Sequence, residues 1–358
     1  MNPCYLPDQS TIQELTRDFD TEISKVLFFH ERVKNQITIL LGQTYVLNDV
    51  LDTFKIFSAT LSSLINPGIA FGADQLKEKD LNDKFDVYDK YFEVTRVRGM
   101  TQGQFIQQYL DTSAELINEI QYTSMSRGEI AFILKAWEAA NQIILNNEEP
   151  AVINFPLAKI VEVAPQDNDE RAIYRWKLAH HGFALFMIFS GNCFRKATDL
   201  IMNGGDQAEI ADLLDKGAHL FRATTSCMEF GNSFTAQVYT NVVRTDMSKA
   251  NEEANLPNGF SGTQNFEYIQ WRKNKMNLFS AVKEHKHNLS AEVINKLELF
   301  RSYYLEDMHI HSIIAGRMVG IEKSLLQEGI KKKFAITAAD MLRMMAMKRH
   351  EEVQFILE

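Results

Sequence analysis

His311-Ser-Ile-Ile-Ala-Gly-Arg317-Met-Val-Gly320 is the stretch on which the reading of the chain turns. It lies inside a long helical pattern over 290–328. A second histidine, His309, stands two residues before His311. On a helix, residues two apart point about 200° apart, so only one of the two can face a given pocket. The face through His311 carries Tyr304, Met308, Ala315 and Met318; the face through His309 carries Ser302, Glu306, Ser312 and Gly316. The first face is apolar, so His311 is the inward histidine and His309 the fallback. An inward histidine is either a core residue bonded to a carbonyl or a metal ligand. Followed six residues later by Arg317, it suits an axial ligand to haem iron with a positive group for a propionate. The spacing alone leaves both readings open.

Three upstream segments offer parts of a pocket. Gly259-Phe-Ser261-Gly262-Thr263-Gln264-Asn265 precedes a helix; its small residues allow close backbone approach to a flat ligand, and its hydroxyls and amides can hydrogen-bond. The same residues also read as an N-cap loop, with Thr263 or Asn265 as the cap. Val238-Tyr239-Thr-Asn-Val-Val-Arg244 places an aromatic and an arginine five apart, the arginine being suited to a carboxylate or, equally, to the surface. His180-His181-Gly182-Phe183-Ala-Leu-Phe186-Met-Ile-Phe189 opens an apolar helix whose aromatics could wall a planar ligand or simply fill a core.

The rest of the chain is helical in pattern. Ser10-Thr-Ile-Gln13 resembles a capping box, followed by Ile12, Leu15, Phe19, Ile23, Val26 and Leu27 at helical spacing. Helices are expected over 35–63, 101–121, 127–146, 171–202, 207–230, 236–244, 265–285, 290–328 and 337–357. The stretch 85–98 reads as a strand pair or an irregular helix. A polar loop is expected over 248–264. Residues 146–170 hold three of the seven prolines and an acidic end, so they read as a linker. The expectation is a smaller, mostly helical N-terminal domain at 1–147, a linker at 148–170 and a helical catalytic domain at 171–358. Seven prolines and seventeen glycines are too few for an all-β fold with many turns, and the class is all-α.

With 358 residues, 45% hydrophobic, the chain can bury a sizeable core. A net charge of −9 argues against nucleic acid and anionic membranes as partners. Cys4, Cys193 and Cys227 form neither CxxC nor CxxCH, so no cysteine zinc site or c-type haem attachment is signalled, and a reducing cytoplasm fits. The N-terminus lacks a signal-peptide core. The strongest apolar run, 182–194, is too short to span a bilayer and reads as a buried helix.

Taken together, His311 with Arg317, Val319 and Gly320, the loop from Phe260 to Asn265, the Tyr239/Arg244 pair and Gly182-Phe183 resemble the haem enzymes of the indoleamine/tryptophan 2,3-dioxygenase superfamily. The branch they most resemble is that of the pyrrolnitrin-pathway enzyme monodechloroaminopyrrolnitrin synthase. The resemblance covers 171–323. It implies a helical haem domain and an oxygenase acting on an indole or related aromatic amino acid with O₂ or H₂O₂. It implies haem b as cofactor, held by His311 on the iron and by Gly262, Gln264 and Arg317. Phe183, Tyr239, Arg244, Ser261 and Thr263 would hold the substrate, with Arg244 on its carboxylate. A homodimer is compatible with it. The stretch Ser324-Leu-Leu-Gln-Glu-Gly329 departs from the glycine-rich loop with which tryptophan dioxygenases hold their amino acid.

Two rivals come from other classes. Glu306-x-x-His309 has the ExxH spacing of helical di-iron oxygenases. The methionine-rich run from Ala338 would suit a non-enzymatic helical protein that binds a ligand or partner.

Overall fold

The computed structural model describes residues 3–8, 75–76, 84–120, 122–144, 169–253, 264–319 and 338–356. The elements in chain order are β1 (Cys4–Pro7), α1 (Lys84–Tyr91), β2 (Val94–Val97), α2 (Gln102–Ile120), α3 (Arg127–Ile144), α4 (Asp169–Met202) and α5 (Gln207–Gly231). They continue with the turn α6 (Ala236–Val238), a π-helical segment (Tyr239–Val243), α7 (Arg244–Glu253), α8 (Phe266–His285), α9 (Ala291–Val319) and α10 (Ala338–Val353). The all-α expectation holds.

The centre is the α4–α5 hairpin. Asp206 caps α5 by accepting from Ala208 N, and Gly204 turns the chain at φ 67°. The two helices run antiparallel, so Ser190 on α4 donates to the Gly217 carbonyl and Ala179 meets Gly231 further along. Residues Ala184 to Phe194 are buried all round, as expected of a helix enclosed on every side. α8 packs on α4, α3 and α9 pack on α5, and α10 packs on α9. One hydrophobic cluster joins β1, α1, β2, α2 and α3 to α4 and α5; a second joins α4 and α5 to α8, α9 and α10.

Two local expectations change. The 85–98 stretch is neither a strand pair nor one helix: α1 ends, Glu93 turns with φ 56°, and β2 follows. β2 pairs in parallel with β1, Cys4 opposite Val94 and Pro7 opposite Val97. The loop expected from 248 instead continues α7 to Glu253, with Ser248 Oγ donating back to the Arg244 carbonyl. The capping box at Ser10, the helix at 35–63, the linker up to residue 168 and the continuation of α9 past Val319 lie outside the described residues. No helix among the described residues is long and apolar enough to cross a membrane.

Buried ion pairs fasten these layers. The Arg96 guanidinium on β2 donates to Asp89 of α1 at 2.7 and 2.8 Å and to both oxygens of Glu267 on α8. Arg175 on α4 donates to Glu119 of α2 and to the Ser233 carbonyl after α5.

Candidate active site

α9 runs unbroken for 29 residues and presents the inward stripe expected from its phase. Tyr304, Met308, Ile314 and Met318 are buried, while His309 is exposed. His311 and Ala315, one turn apart on the same face, stay half-buried between those sealed positions. The stripe is thus unfilled at the histidine. No hydrogen bond is made by the His311 ring among the described residues. Burial pushes its pKa below the ordinary histidine value, Arg349 acts in the same direction and Asp307 against it. A neutral imidazole with an uncommitted ring nitrogen is what iron ligation requires.

One turn below, Asp307 anchors a buried polar network. It accepts from Thr225 Oγ1 of α5 at 2.7 Å and from Arg349 Nη1 of α10 at 2.6 Å. Arg349 also donates to the Tyr304 carbonyl and lies over the Tyr304 ring at 4.3 Å. The Tyr304 hydroxyl donates to Glu352 at 2.8 Å, and Lys275 of α8 donates to both groups. Burial pushes the Lys275 amine down to about 8, with Glu352 opposing. Four helices therefore fix the segment that carries His311, the kind of support a ligand position needs.

Arg317 lies about 9 Å further along the axis and about 120° round from His311 by helix geometry. It is exposed, and its Nη2 donates to Glu229 and to the Asn232 carbonyl at the end of α5, each at 3.3 Å. The di-iron rival loses its carboxylate: Glu306 accepts from Arg222, which also binds Glu129. Among the described residues no group of histidines, cysteines and carboxylates is placed to hold a metal ion. The three cysteines are buried; burial pushes Cys193 up to about 12 and Cys4 and Cys227 higher.

The α4 side is built by close packing. A Cβ on Gly182 would lie 2.7 Å from Leu116 Cδ1, so the glycine lets α2 approach α4. Phe183 is half-buried and packs against both hydrophobic clusters. His181 donates through Nε2 to the Phe92 carbonyl at 2.5 Å, and His180 through Nδ1 to the Trp176 carbonyl at 2.8 Å. His180 stacks on Phe92, centroids 3.9 Å apart, and meets Trp176 edge-on at 4.6 Å. Burial pushes both histidines down to about 4.

Tyr239 and Arg244 sit at the two ends of the π turn. Arg244 N–H donates to the Tyr239 carbonyl, an i→i+5 bond, so the structure brings the two a single turn apart. In an α-helix the same separation would put them about 140° apart. The segment packs against α4 and α9, and the Tyr239 ring is 6.4 Å from Trp176. Ser261, Gly262 and Thr263 lie outside the described residues. Gln264 is buried at the start of α8, and Asn265 is the cap, accepting from Tyr268 N at 2.7 Å.

The sequence profile of the SfmD 3-methyl-L-tyrosine peroxygenase family matches residues 55–292, about two thirds of the chain. The chain belongs to that family. The matching family is thus the SfmD peroxygenases, where the motifs pointed to the pyrrolnitrin-pathway branch. The fold agrees with a crystal structure of reduced SfmD, soaked with sodium hydrosulfite. The TM-score is 0.57 at 16% identity, over 87% of this chain and 96% of that one. Comparison with curated proteins finds no match. The SfmD family is haem-dependent and acts on an aromatic amino acid. Trp176 and His180 were not singled out from the sequence; the only signal was the His180-His181 pair at the start of an apolar helix.

Proposed function

We propose that this SfmD-family protein is a haem b enzyme that hydroxylates the ring of a tyrosine-like amino acid with hydrogen peroxide. The observation that carries the reading is His311, half-buried on the inward stripe of α9, its charged form disfavoured by burial and its ring without a hydrogen bond among the described residues. The residues present fit haem: His311 would hold the iron, Arg317 at the rim would meet a propionate, and Gly262 and Gln264 would line the cofactor. Haem supplies activation of peroxide, so that one oxygen atom goes to the substrate and one leaves as water. The protein's part is orientation. Phe183 and Tyr239 would wall the aromatic ring, Arg244 would pair with the carboxylate, and Ser261 and Thr263 would bond the amine. The Asp307–Arg349 network holds the His311 helix in register, and the buried ring stays neutral for ligation.

The test is the absorption spectrum of the purified protein with and without 3-methyl-L-tyrosine, followed by product analysis with peroxide. A Soret band that is lost in His311→Ala, together with a product heavier by one oxygen, is the expected result. A wild-type protein from haem-replete cells without a Soret band overturns the haem assignment. Cleavage of L-tryptophan with O₂, adding two oxygen atoms, would instead support the dioxygenase chemistry of the wider superfamily.

A further inference from the structure

Trp176 Nε1 is sealed from solvent and has no hydrogen-bond partner among the described residues. Buried indole N–H groups are normally satisfied, so an orphan of this kind calls for an acceptor that arrives from outside the chain. One turn further along α4, His180 has the complementary property. Its Nδ1 is bonded to a carbonyl, the Trp176 oxygen, so Nδ1 carries the proton. Nε2 then presents a lone pair, and no partner for it occurs among the described residues. The two rings meet at 4.6 Å. Phe92 stacks under His180, and Tyr239, 6.4 Å from Trp176, joins the pair to the π segment that carries Arg244.

Together the two rings offer one donor and one acceptor from adjacent turns. A carboxylate accepts only and would meet the His180 lone pair unfavourably. An ammonium donates only and leaves Trp176 unsatisfied. A hydroxyl does both. We infer that Trp176 and His180 form the subsite for the phenolic hydroxyl of the substrate, the oxygen accepting from Trp176 Nε1–H and the proton being donated to His180 Nε2. The inference rests on the tyrosine-like reading above and assigns the residues that hold its hydroxyl. The histidine remains neutral around pH 7, because burial holds its pKa near 4. It therefore acts as an acceptor there, not as a cation.

The experiment is calorimetric binding of 3-methyl-L-tyrosine and of 3-methyl-L-phenylalanine, which lacks only the hydroxyl, to the haem-loaded full-length protein. The wild type should prefer the phenol by tenfold or more, since buried polar groups left unpaired reject the analogue. Trp176→Phe and His180→Leu should each reduce that preference to within about threefold while leaving affinity for the phenylalanine analogue unchanged. His180→Gln, which restores an outward acceptor, should recover part of it. A wild type without preference, or a preference kept in both His180→Leu and Trp176→Phe, overturns the proposal. The Soret band reports separately: its absence would overturn the haem assignment, while the binding preference would still decide the hydroxyl subsite.

Discussion

Arg244 N–H bonds the carbonyl of Tyr239 five residues back, and this single π turn brings a half-buried arginine one turn beyond a half-buried tyrosine. Such turns insert one extra residue into a helix and are common where a side chain has to be re-aimed. Here the turn faces α4 and α9, the two helices that carry His180 and His311.

Removing one residue from the turn should restore an α-helix in which Arg244 follows Tyr239 by four residues, still one turn away and within about 40° of it. Asn241 is exposed, so its deletion disturbs little packing. Because the pair stays aligned, the deletion protein should keep its helix content, its Soret band and most of its affinity for 3-methyl-L-tyrosine. A loss of affinity of tenfold or more would mean that the turn contributes something other than the Tyr239/Arg244 alignment.

The Asp307–Arg349 pair is buried on both sides and shares its hydrogen bonds with Thr225 and Tyr304. Removing one charge strands the other, at a cost of about 3–5 kcal/mol. Asp307→Leu should therefore lower stability sharply in urea titrations. Adding Arg349→Met should recover most of the loss, because a well-packed apolar pair replaces an ion pair at little cost. If the double variant is no more stable than the single one, the loss comes from packing and not from the stranded guanidinium.

Gly231 marks the closest approach of α5 to α4: a Cβ there would stand 2.7 Å from Ala179 Cβ, with the Trp176 ring 3.6 Å away. Ala179 has no torsion with which to yield, so the helices must part. Gly231→Ala should destabilise by about 1–3 kcal/mol despite the better helix propensity of alanine. The matching change at Gly182 meets the flexible end of Leu116 and should cost less. Denaturation midpoints of the two variants check the order.

Much of this architecture can be read along the chain, because helical periodicity is local. The long helices α4, α5, α8 and α9 begin within about two residues of their expected starts, and the phase argument that turned His311 inward and His309 outward matches their burial. Non-local features are different. β1 pairs with a strand some ninety residues away, and no local pattern in Cys4–Pro7 announces its partner. The π turn has no side-chain signature. Trp176 and His180 look like ordinary core aromatics until the carbonyl that claims His180 Nδ1 and the missing partner of Trp176 Nε1 are known. The continuation of α7 to Glu253 was hidden by a polar composition that also suits loops.

Acid should unfold the protein through its buried histidines. Folded, His180 and His181 stay neutral down to about pH 4, because burial penalises the charged ring; unfolded, they take a proton near 6.5. Between those values the unfolded chain binds more protons, so lowering the pH favours unfolding. The stability that depends on neutral rings is complete above about pH 6.5 and is lost progressively as pH falls toward 4. For His181 alone the difference amounts to about 3 kcal/mol. Urea midpoints at pH 7.5, 6 and 5 should fall in that order. His181→Gln keeps an N–H for the Phe92 carbonyl and removes one titrating group, so its midpoint should depend less steeply on pH. An identical slope in the variant would show that His181 is not protonated on unfolding and that the acid sensitivity lies elsewhere.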